Sequence, residues 1–546
     1  MSRSAEILLR ARYLRKNEKP EDLFLRVAET VGKFDPEHRE DFFEVMRNFE
    51  FLPNSPALFN AGTGRCLSAC FVIPLRDSLK SIFQALRETV IVEQWGGGVG
   101  LNFSRIRPEG DRISGTGGSA SGPLSFMRVF DAATEAVRSG GRRRGAMMAL
   151  LSADHPDVGK FVDSSASFRN FNLSVAVPDR FVDSAVSGSE WEYVNPRTRR
   201  TVSTGRARTL WRKIVRSAWK TGGPGLAFID EIERKNPVPG LGRIEGLNPC
   251  GETPLLAYES CNLGSVNLSK VVRRRVRWKK LERIVRIGVR FLDAMIDASG
   301  YPFKKMEEAA KRTRKIGLGV MGFADALSRL GIPYDSEEAV EFADRVMSFI
   351  SGVARKTSAE LGEEKGSFPA FEKSVWTGYS AMRNATVTAV APTGSISLLA
   401  GCSSGIEPFF SLFYTRRVCG VEVSEFAPGF LEFAEEKGYR DVLSEISRTG
   451  SARSSENVPE ELKRLFPVAH EIDPEWHVRI QAAFQKHVDN AVSKTVNLPE
   501  SAGEEVVERV FLLARELGCK GITVYRYGSL GNQVIERPCG RCSVRD

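Results

Sequence analysis

From residue 140 onward, short β-like runs alternate with long amphipathic segments, and this alternation constrains the fold more than any other feature of the chain. The runs are NLSVAV (172–177), SVNLS (265–269), TVTAVAP (386–392) and GITVY (521–525). The segments between them, such as 278–298 and 336–361, carry apolar residues at helical spacing. In 278–298 the stripe is Trp278, Leu281, Ile284, Val285, Phe291 and Leu292. A helix between two strands lets them run parallel, so the pattern predicts an α/β fold. Residues 1–50 read as a helical segment, through AEILLRARYL and PEDLFLRVAETVGKF. The 546 residues would fill three or four average domains or one large α/β barrel. Neither a fixed repeat nor a long linker divides 51–530, which points to one unit. The last stretch, 531–546 (GNQVIERPCGRCSVRD), has no apolar stripe and reads as a flexible tail.

Composition excludes several classes. With 42% hydrophobic and 27% charged residues the chain is neither disordered nor collagen-like. No apolar run reaches the roughly 18 residues that span a bilayer, so no membrane association is expected. Arginines interrupt the apolar start MSRSAEILLRARYL, which makes it a poor signal peptide and predicts a cytoplasmic protein. The net charge of +10 suits polyanions without choosing among nucleic acid, nucleotides and anionic lipid. The run RRRVRWKK (273–280) lacks aromatics interleaved in a groove, so it reads as an exposed face and no nucleic-acid partner is expected. Nine cysteines are too sparse for a disulfide scaffold.

The cysteines carry the sharper chemistry. Asn248-Pro249-Cys250-Gly251-Glu252 sets an amide, a thiol and a carboxylate at alternate positions. If the tip is extended, all three point to one side and can hold a polyol, exchange a hydrogen atom and accept a proton. A loop with a buried thiol explains the segment equally well. Cys70 and Cys261 each border a β-like run; buried structural thiols are the usual reading, and a redox pair is the other if they meet in space. Cys539-Gly-Arg-Cys542 on the tail reads as a redox shuttle. A zinc site built from Cys66, Cys70, Cys539 and Cys542 is disfavoured, because the halves lie at opposite ends of the chain. Cys402, Cys419 and Cys519 read as structural. The five histidines form no HExxH pattern, and no metal site of the protein's own is expected.

Two segments could bind anions. APTGSIS (391–397) follows an apolar run and lacks the lysine of a P-loop. Alone it is better explained as a capped helix start. GGRRRGA (140–146) is either a solvated loop or a phosphate grip. Glycine is dense in GGGVG (96–100) and GTGGSASG (115–122), where backbone can approach a ligand closely.

Together these segments resemble the catalytic subunit of ribonucleotide reductase, and in texture its class II, adenosylcobalamin-dependent branch. The resemblance runs from about residue 5 to 530. It is carried by PNSPALFNAG (53–62), LSACFVIPLRDSL (67–79), GGGVGLNFSRIRP (96–108), NPCGE (248–252), ESCNLGSVNLS (259–269), RKIGLGVMGFADAL (314–327), VAPTGSIS (390–397), GIEPFFSLFYTRR (405–417) and GCKGITVYR (518–526), in that order. It implies a ten-stranded α/β barrel with a central finger loop. It implies that a thiyl radical on Cys250, sealed inside the barrel, takes the ribose 3′ hydrogen, that Glu252 accepts the 3′-OH proton and that Asn248 holds the sugar. Cys70 and Cys261 would supply the reducing equivalents, and Cys539 and Cys542 would restore them from a thioredoxin- or glutaredoxin-type reductant. Substrate phosphates would lie on Pro392, Thr393, Gly394, Ser395 and Ile396, with Ser55, Ala69 and Gly98 lining the site. A deoxynucleotide or ATP effector at a homodimer interface would meet Asp77, Ser78 and Arg107, and the loop 164–171 would signal through Arg169. Diphosphates are the expected substrates.

The sequence also departs from the family pattern. No segment resembles the ATP-cone, and Cys66 has no counterpart. The tyrosine pair of class I subunits is replaced by Thr523-Val524-Tyr525, and no glycyl-radical motif appears. These departures favour a cofactor-generated radical. The alternatives are a radical supplied by a separate metal-containing subunit, an inactive nucleotide-binding sensor, and a basic nucleic-acid-binding protein.

Overall fold

The computed structural model describes residues 1–113, 117–137 and 145–529, and the backbone of 535–536. The arginines of 142–144 and both tail cysteines, Cys539 and Cys542, lie outside the described residues.

Five strands, Cys70–Ile73, Gly98–Asn102, Met147–Ser152, Phe171–Val177 and Gly225–Phe228, run parallel in that order. Their register is set by near-continuous apolar burial: the strand Met147–Ser152 is buried at five of its six positions. Strands covered on both faces read as apolar runs. A second parallel group holds Ser260–Asn267, Ile316–Met321, Thr495–Leu498 and Gly521–Arg526. The segment 386–390 completes it through parallel bridges from Thr388 to Leu318 and from Val390 to Val492. The groups meet antiparallel at two seams: Cys261 lies opposite Cys70, and Gly521 opposite Ala227. The ring therefore closes with ten staves, and an eleventh strand, Phe51–Pro53, flanks Ser260–Asn267. This is the α/β barrel the sequence implies.

Helices cover the outside. Trp278–Ala298 buries Leu281, Ile284, Val285, Phe291 and Leu292, the stripe read from sequence. Phe291 meets Phe42 and Phe51 edge to face at 5.2 and 5.4 Å. Each fully buried phenylalanine contributes roughly 1.5–3 kcal/mol. The helices Arg3–Leu8, Pro20–Gly32 and Arg39–Arg47 pack on the second half of the barrel. The run 386–390 is joined to its neighbours by backbone hydrogen bonds on both sides, among them Leu318 N–H to the Val387 carbonyl at 2.8 Å and Ser493 N–H to the Val390 carbonyl at 2.9 Å. No helix among the described residues is long and apolar enough to cross a membrane.

Candidate active site

A hairpin enters the barrel and carries the NPCGE segment. Its arms, Gly246–Leu247 and Pro254–Leu255, pair antiparallel. The barrel wall admits it because two glycines omit their side chains there. A Cβ on Gly100 would lie 1.9 Å from the Leu247 carbonyl oxygen, and one on Gly98 would lie 2.7 Å from the Pro249 ring. The wall also grips it by hydrogen bonds. Asn102 Nδ2 donates to the Glu245 carbonyl at 2.9 Å, and Asn172 Nδ2 to that of Pro249 at 2.8 Å. Opposite, the Ala491 N–H donates to the Glu252 carbonyl at 2.8 Å.

The tip is a turn rather than the extended strand read from sequence. The Gly251 N–H donates to the Asn248 carbonyl at 3.0 Å, and Gly251 takes a φ of 78°, which glycine adopts at little cost. The alternate-face argument therefore fails, and each side chain is aimed by the turn. Asn248 is fully buried; its Nδ2 donates to Cys70 Sγ at 3.1 Å while its Oδ1 accepts from the Thr253 N–H at 2.9 Å. Glu252 is 2% exposed, and its carboxylate lies near Cys261, whose thiol it helps push up.

Strand register brings together the two thiols expected to act as a redox pair. Cys70 and Cys261 are direct cross-strand partners, although far apart in sequence. Such partners hold their Cβ atoms about 4.5–5.5 Å apart, close to the span a disulfide needs. Both are free thiols here. Burial, then the Glu252 carboxylate, raises the Cys261 pKa well above the ordinary thiol range, and Lys315 draws it partly back. Lys315 and Glu259 form an ion pair at 2.7 Å with both side chains 0% exposed.

Cys250 departs from the sealed thiol expected from sequence: it is exposed. It faces a cavity of about 820 Å³ bounded by the finger, the loop 165–173, the 392–397 turn and the strands near 495 and 523. The protein leaves this thiol uncovered because the hairpin reaches the cavity and stops at its edge. Pro392, Gly394 and Ser397 line the same cavity. Thr393 takes a φ of 59° and opens the short helix Gly394–Ala400, with its Oγ1 accepting from the Gly405 N–H at 2.7 Å. Ile396 is buried in the core. Ser395 Oγ accepts from Arg12 at 3.3 Å, and Ser55 Oγ lies 2.8 Å from the Tyr13 hydroxyl. Ala69 is buried, and its carbonyl accepts from the Gly98 N–H at 2.8 Å.

Of the expected effector residues, Asp77, Ser78 and Arg107 do not line the cavity. Arg107 donates to both Asp77 carboxylate oxygens, through its N–H at 3.1 Å and its Nε at 2.8 Å. Ser78 caps the helix Leu79–Gln94. Arg169 is exposed and lines the cavity, and the neighbouring Asn170 is tied to Asp131 of the helix Gly122–Val137. Cys66 accepts a hydrogen bond from Ser299 at 3.5 Å in the core, as a structural thiol does.

Sequence reasoning missed Lys494. Fully buried beside the cavity, its ammonium pairs with Glu407 and donates to His477 Nδ1 at 2.8 Å. Only a lone lysine in an apolar context, SKTVNL, marked it.

Comparison with known proteins decides the family. The description "Ribonucleotide reductase, barrel domain" matches residues 68–381 and 378–525, and "Ribonucleotide reductase, all-alpha domain" matches 3–66. The chain belongs to the ribonucleotide reductase family. Among its relatives is the vitamin B12-dependent ribonucleoside-diphosphate reductase of Mycobacterium tuberculosis (strain H37Rv), 48% identical across 98% of this chain and 79% of that protein. The protein of that name from Thermoplasma acidophilum is 47% identical across 94% of this chain and 68% of its own length. Among solved structures, the class Id ribonucleotide reductase α subunit of Actinobacillus ureae superposes with a TM-score of 0.80, covering 96% of this chain and 97% of that one at 24% identity. That likeness speaks to the reductase fold.

Proposed function

We propose that this chain is an adenosylcobalamin-dependent ribonucleoside-diphosphate reductase. The carrying observation is a run of adjacent groups: Cys250 on the hairpin faces the cavity, Asn248 of the same hairpin donates to Cys70, and Cys70 lies across from Cys261 on the barrel strands. The two relatives named as vitamin B12-dependent reductases support the cofactor assignment.

The cavity fits that cofactor. Phe168, Phe409, Phe410 and Tyr525 offer flat apolar contact, while Asn172, Ser493 and Asn497 offer hydrogen bonds to amide arms. A Cβ on Gly251 or Gly394 would meet open space, so the walls there are already stripped back. Bound there, adenosylcobalamin would supply the radical chemistry, and Cys250 is the residue whose thiol would give up its hydrogen atom to it.

The protein's residues do the rest. The Cys250 thiyl takes the ribose 3′ hydrogen, and the Glu252 carboxylate takes the 3′-OH proton. The 2′-hydroxyl leaves as water. Cys70 and Cys261 give two electrons and two hydrogens and close to a disulfide, so a ribonucleotide and a dithiol become a deoxyribonucleotide, a disulfide and water. The raised pKa of Cys261 keeps that thiol protonated, ready to donate. At the end, the Cys250 thiol returns its hydrogen to C3′. Cys539 and Cys542 then reduce the disulfide by exchange, themselves restored by a thioredoxin- or glutaredoxin-type protein.

Substrate phosphates sit on the 392–397 turn. The effector, a deoxynucleotide or ATP, binds at Asp77, Ser78 and Arg107 in a homodimer. Leu79, Phe83 and Val129 support that dimer as exposed apolar side chains on the helices Leu79–Gln94 and Gly122–Val137. The signal passes along 164–171 to Arg169. The test is anaerobic incubation of the chain with CDP, a small dithiol and adenosylcobalamin: dCDP forms with the cofactor and not without it. Turnover only after adding a metal-containing subunit would overturn the cofactor assignment.

A further inference from the structure

The N-terminal segment reaches the phosphate turn, and its residues are unassigned. A short π-helical stretch, Leu9–Tyr13, follows the helix Arg3–Leu8 and turns two consecutive side chains inward. Arg12 Nη1 donates to Ser395 Oγ at 3.3 Å. Tyr13, fully buried, has its hydroxyl 2.8 Å from Ser55 Oγ. Both receiving serines are among the residues that the family resemblance assigns to the substrate.

Three neighbouring arginines are committed elsewhere. Arg10 pairs with Glu6 at 3.0 Å, and Arg26 pairs with Glu18 at 2.6 Å. Arg15 donates to the Ala61 carbonyl at 2.6 Å. Arg12 has no carboxylate within ion-pair distance among the described residues, and its one described hydrogen bond is to a neutral hydroxyl. A half-buried guanidinium with such a weak partner keeps donors in reserve. Two of the cations lining the cavity already have partners: Lys494 is held by Glu407, and Arg416 lies 3.9 Å from the Glu425 carboxylate and stacks over Tyr414. A diphosphate on this turn brings about three negative charges, which the turn's backbone and hydroxyls alone would have to carry.

We propose that Arg12 is a substrate-positioning residue that grips the terminal phosphate of the nucleoside diphosphate against Ser395, with Tyr13 holding Ser55 beside it. This rests on the reading of 392–397 as the phosphate turn. Guanidinium forks match phosphate oxygens, so the contact recognises the outer phosphate rather than sugar or base.

The test compares Arg12→Gln, Arg12→Lys, Arg10→Gln and Gly394→Val in the full-length holoenzyme. A lost charge-assisted contact corresponds to roughly a tenfold to hundredfold rise in KM for CDP, with kcat changed far less. Arg12→Lys restores part of it, and Arg10→Gln leaves KM unchanged. As a competitive inhibitor, CDP weakens in Arg12→Gln by a larger factor than CMP, a difference a merely unfolded N-terminus would not produce. Gly394→Val, whose added side chain enters open space at the turn, raises KM on its own. An unchanged KM for Arg12→Gln beside a raised KM for Gly394→Val overturns the role of Arg12 and keeps the turn. Equal weakening of CDP and CMP also overturns it. No change in either variant removes the phosphate turn itself, and the proposal with it.

Discussion

Replacing Gly100 by alanine puts a methyl group where the backbone of the finger runs. The added Cβ would sit 1.9 Å from the Leu247 carbonyl oxygen, 2.8 Å from its carbon and 3.2 Å from Val72 Cγ2. Two of these are backbone atoms of a paired hairpin arm, so no side-chain rotation relieves them. Opening the shortest contact to 3.0 Å moves the arm by at least 3.0 − 1.9 = 1.1 Å. The hairpin is stitched at Asn102, Asn172 and Ala491, so it shifts as a unit and carries Cys250, three residues on, with it. A misplacement of about 1 Å at reacting atoms costs on the order of a hundredfold in rate, and overpacking costs about 1–3 kcal/mol in stability. The expected phenotype is a folded protein with kcat reduced about a hundredfold and nearly normal nucleotide binding. Gly352→Ala is the control, since nothing lies within 4 Å of its added Cβ. A Gly100→Ala protein within threefold of the parent kcat would refute the claim that this glycine sets the position of the finger.

Three further outcomes follow from the same contacts. Glu93 is buried, its carboxyl pushed up to about 7 by desolvation against one hydrogen bond from Thr134. A raised folded pKa means the native state holds the extra proton between about 4.5 and 7, so stability falls as pH rises through that window. Glu93→Gln should remove that slope and gain up to roughly 3 kcal/mol at pH 8, read from denaturant melts across pH; an unchanged slope would contradict the assignment. Lys315→Met leaves Glu259 buried and unpaired, at a cost of about 3–5 kcal/mol, and Lys315→Met with Glu259→Leu should recover part of it; a neutral single variant would show that the pair carries no such energy. Cys261→Ser should stop dithiol-driven product formation while CDP still binds, measured by quenched-flow and equilibrium dialysis; sustained turnover would remove Cys261 from the redox pair.

Much of the barrel was legible because parallel strands covered on both faces leave long apolar runs, and because amphipathic helices such as Trp278–Ala298 show their stripe directly. The segment 386–390 was legible as apolar sequence, but its pairing was not, since its partners lie far along the chain. The NPCGE residues stood out in the sequence as a candidate site; their arrangement did not. A turn closed by Gly251 replaces the extended tip, and the exposure of Cys250 depends on how deep the hairpin runs. The Cys70–Cys261 pairing is a matter of antiparallel register at a seam between two half-barrels, which no local pattern encodes. The same holds for Arg12 meeting Ser395 and for Lys494 meeting Glu407. Contacts between distant segments were the part the sequence withheld.

The central claim is that the Cys250 sulfur takes the 3′ hydrogen of a bound ribonucleotide. The direct measurement uses UDP carrying tritium at C3′, incubated anaerobically with adenosylcobalamin and dithiol, for the parent protein and for Cys250→Ala. The account predicts a 3′ isotope effect on turnover with the parent, most of the tritium retained at C3′ of the dUDP and a small part lost to water through exchange at the Cys250 thiol, and none of these with Cys250→Ala although UDP still binds. Tritium release from Cys250→Ala at the parent's rate would contradict it.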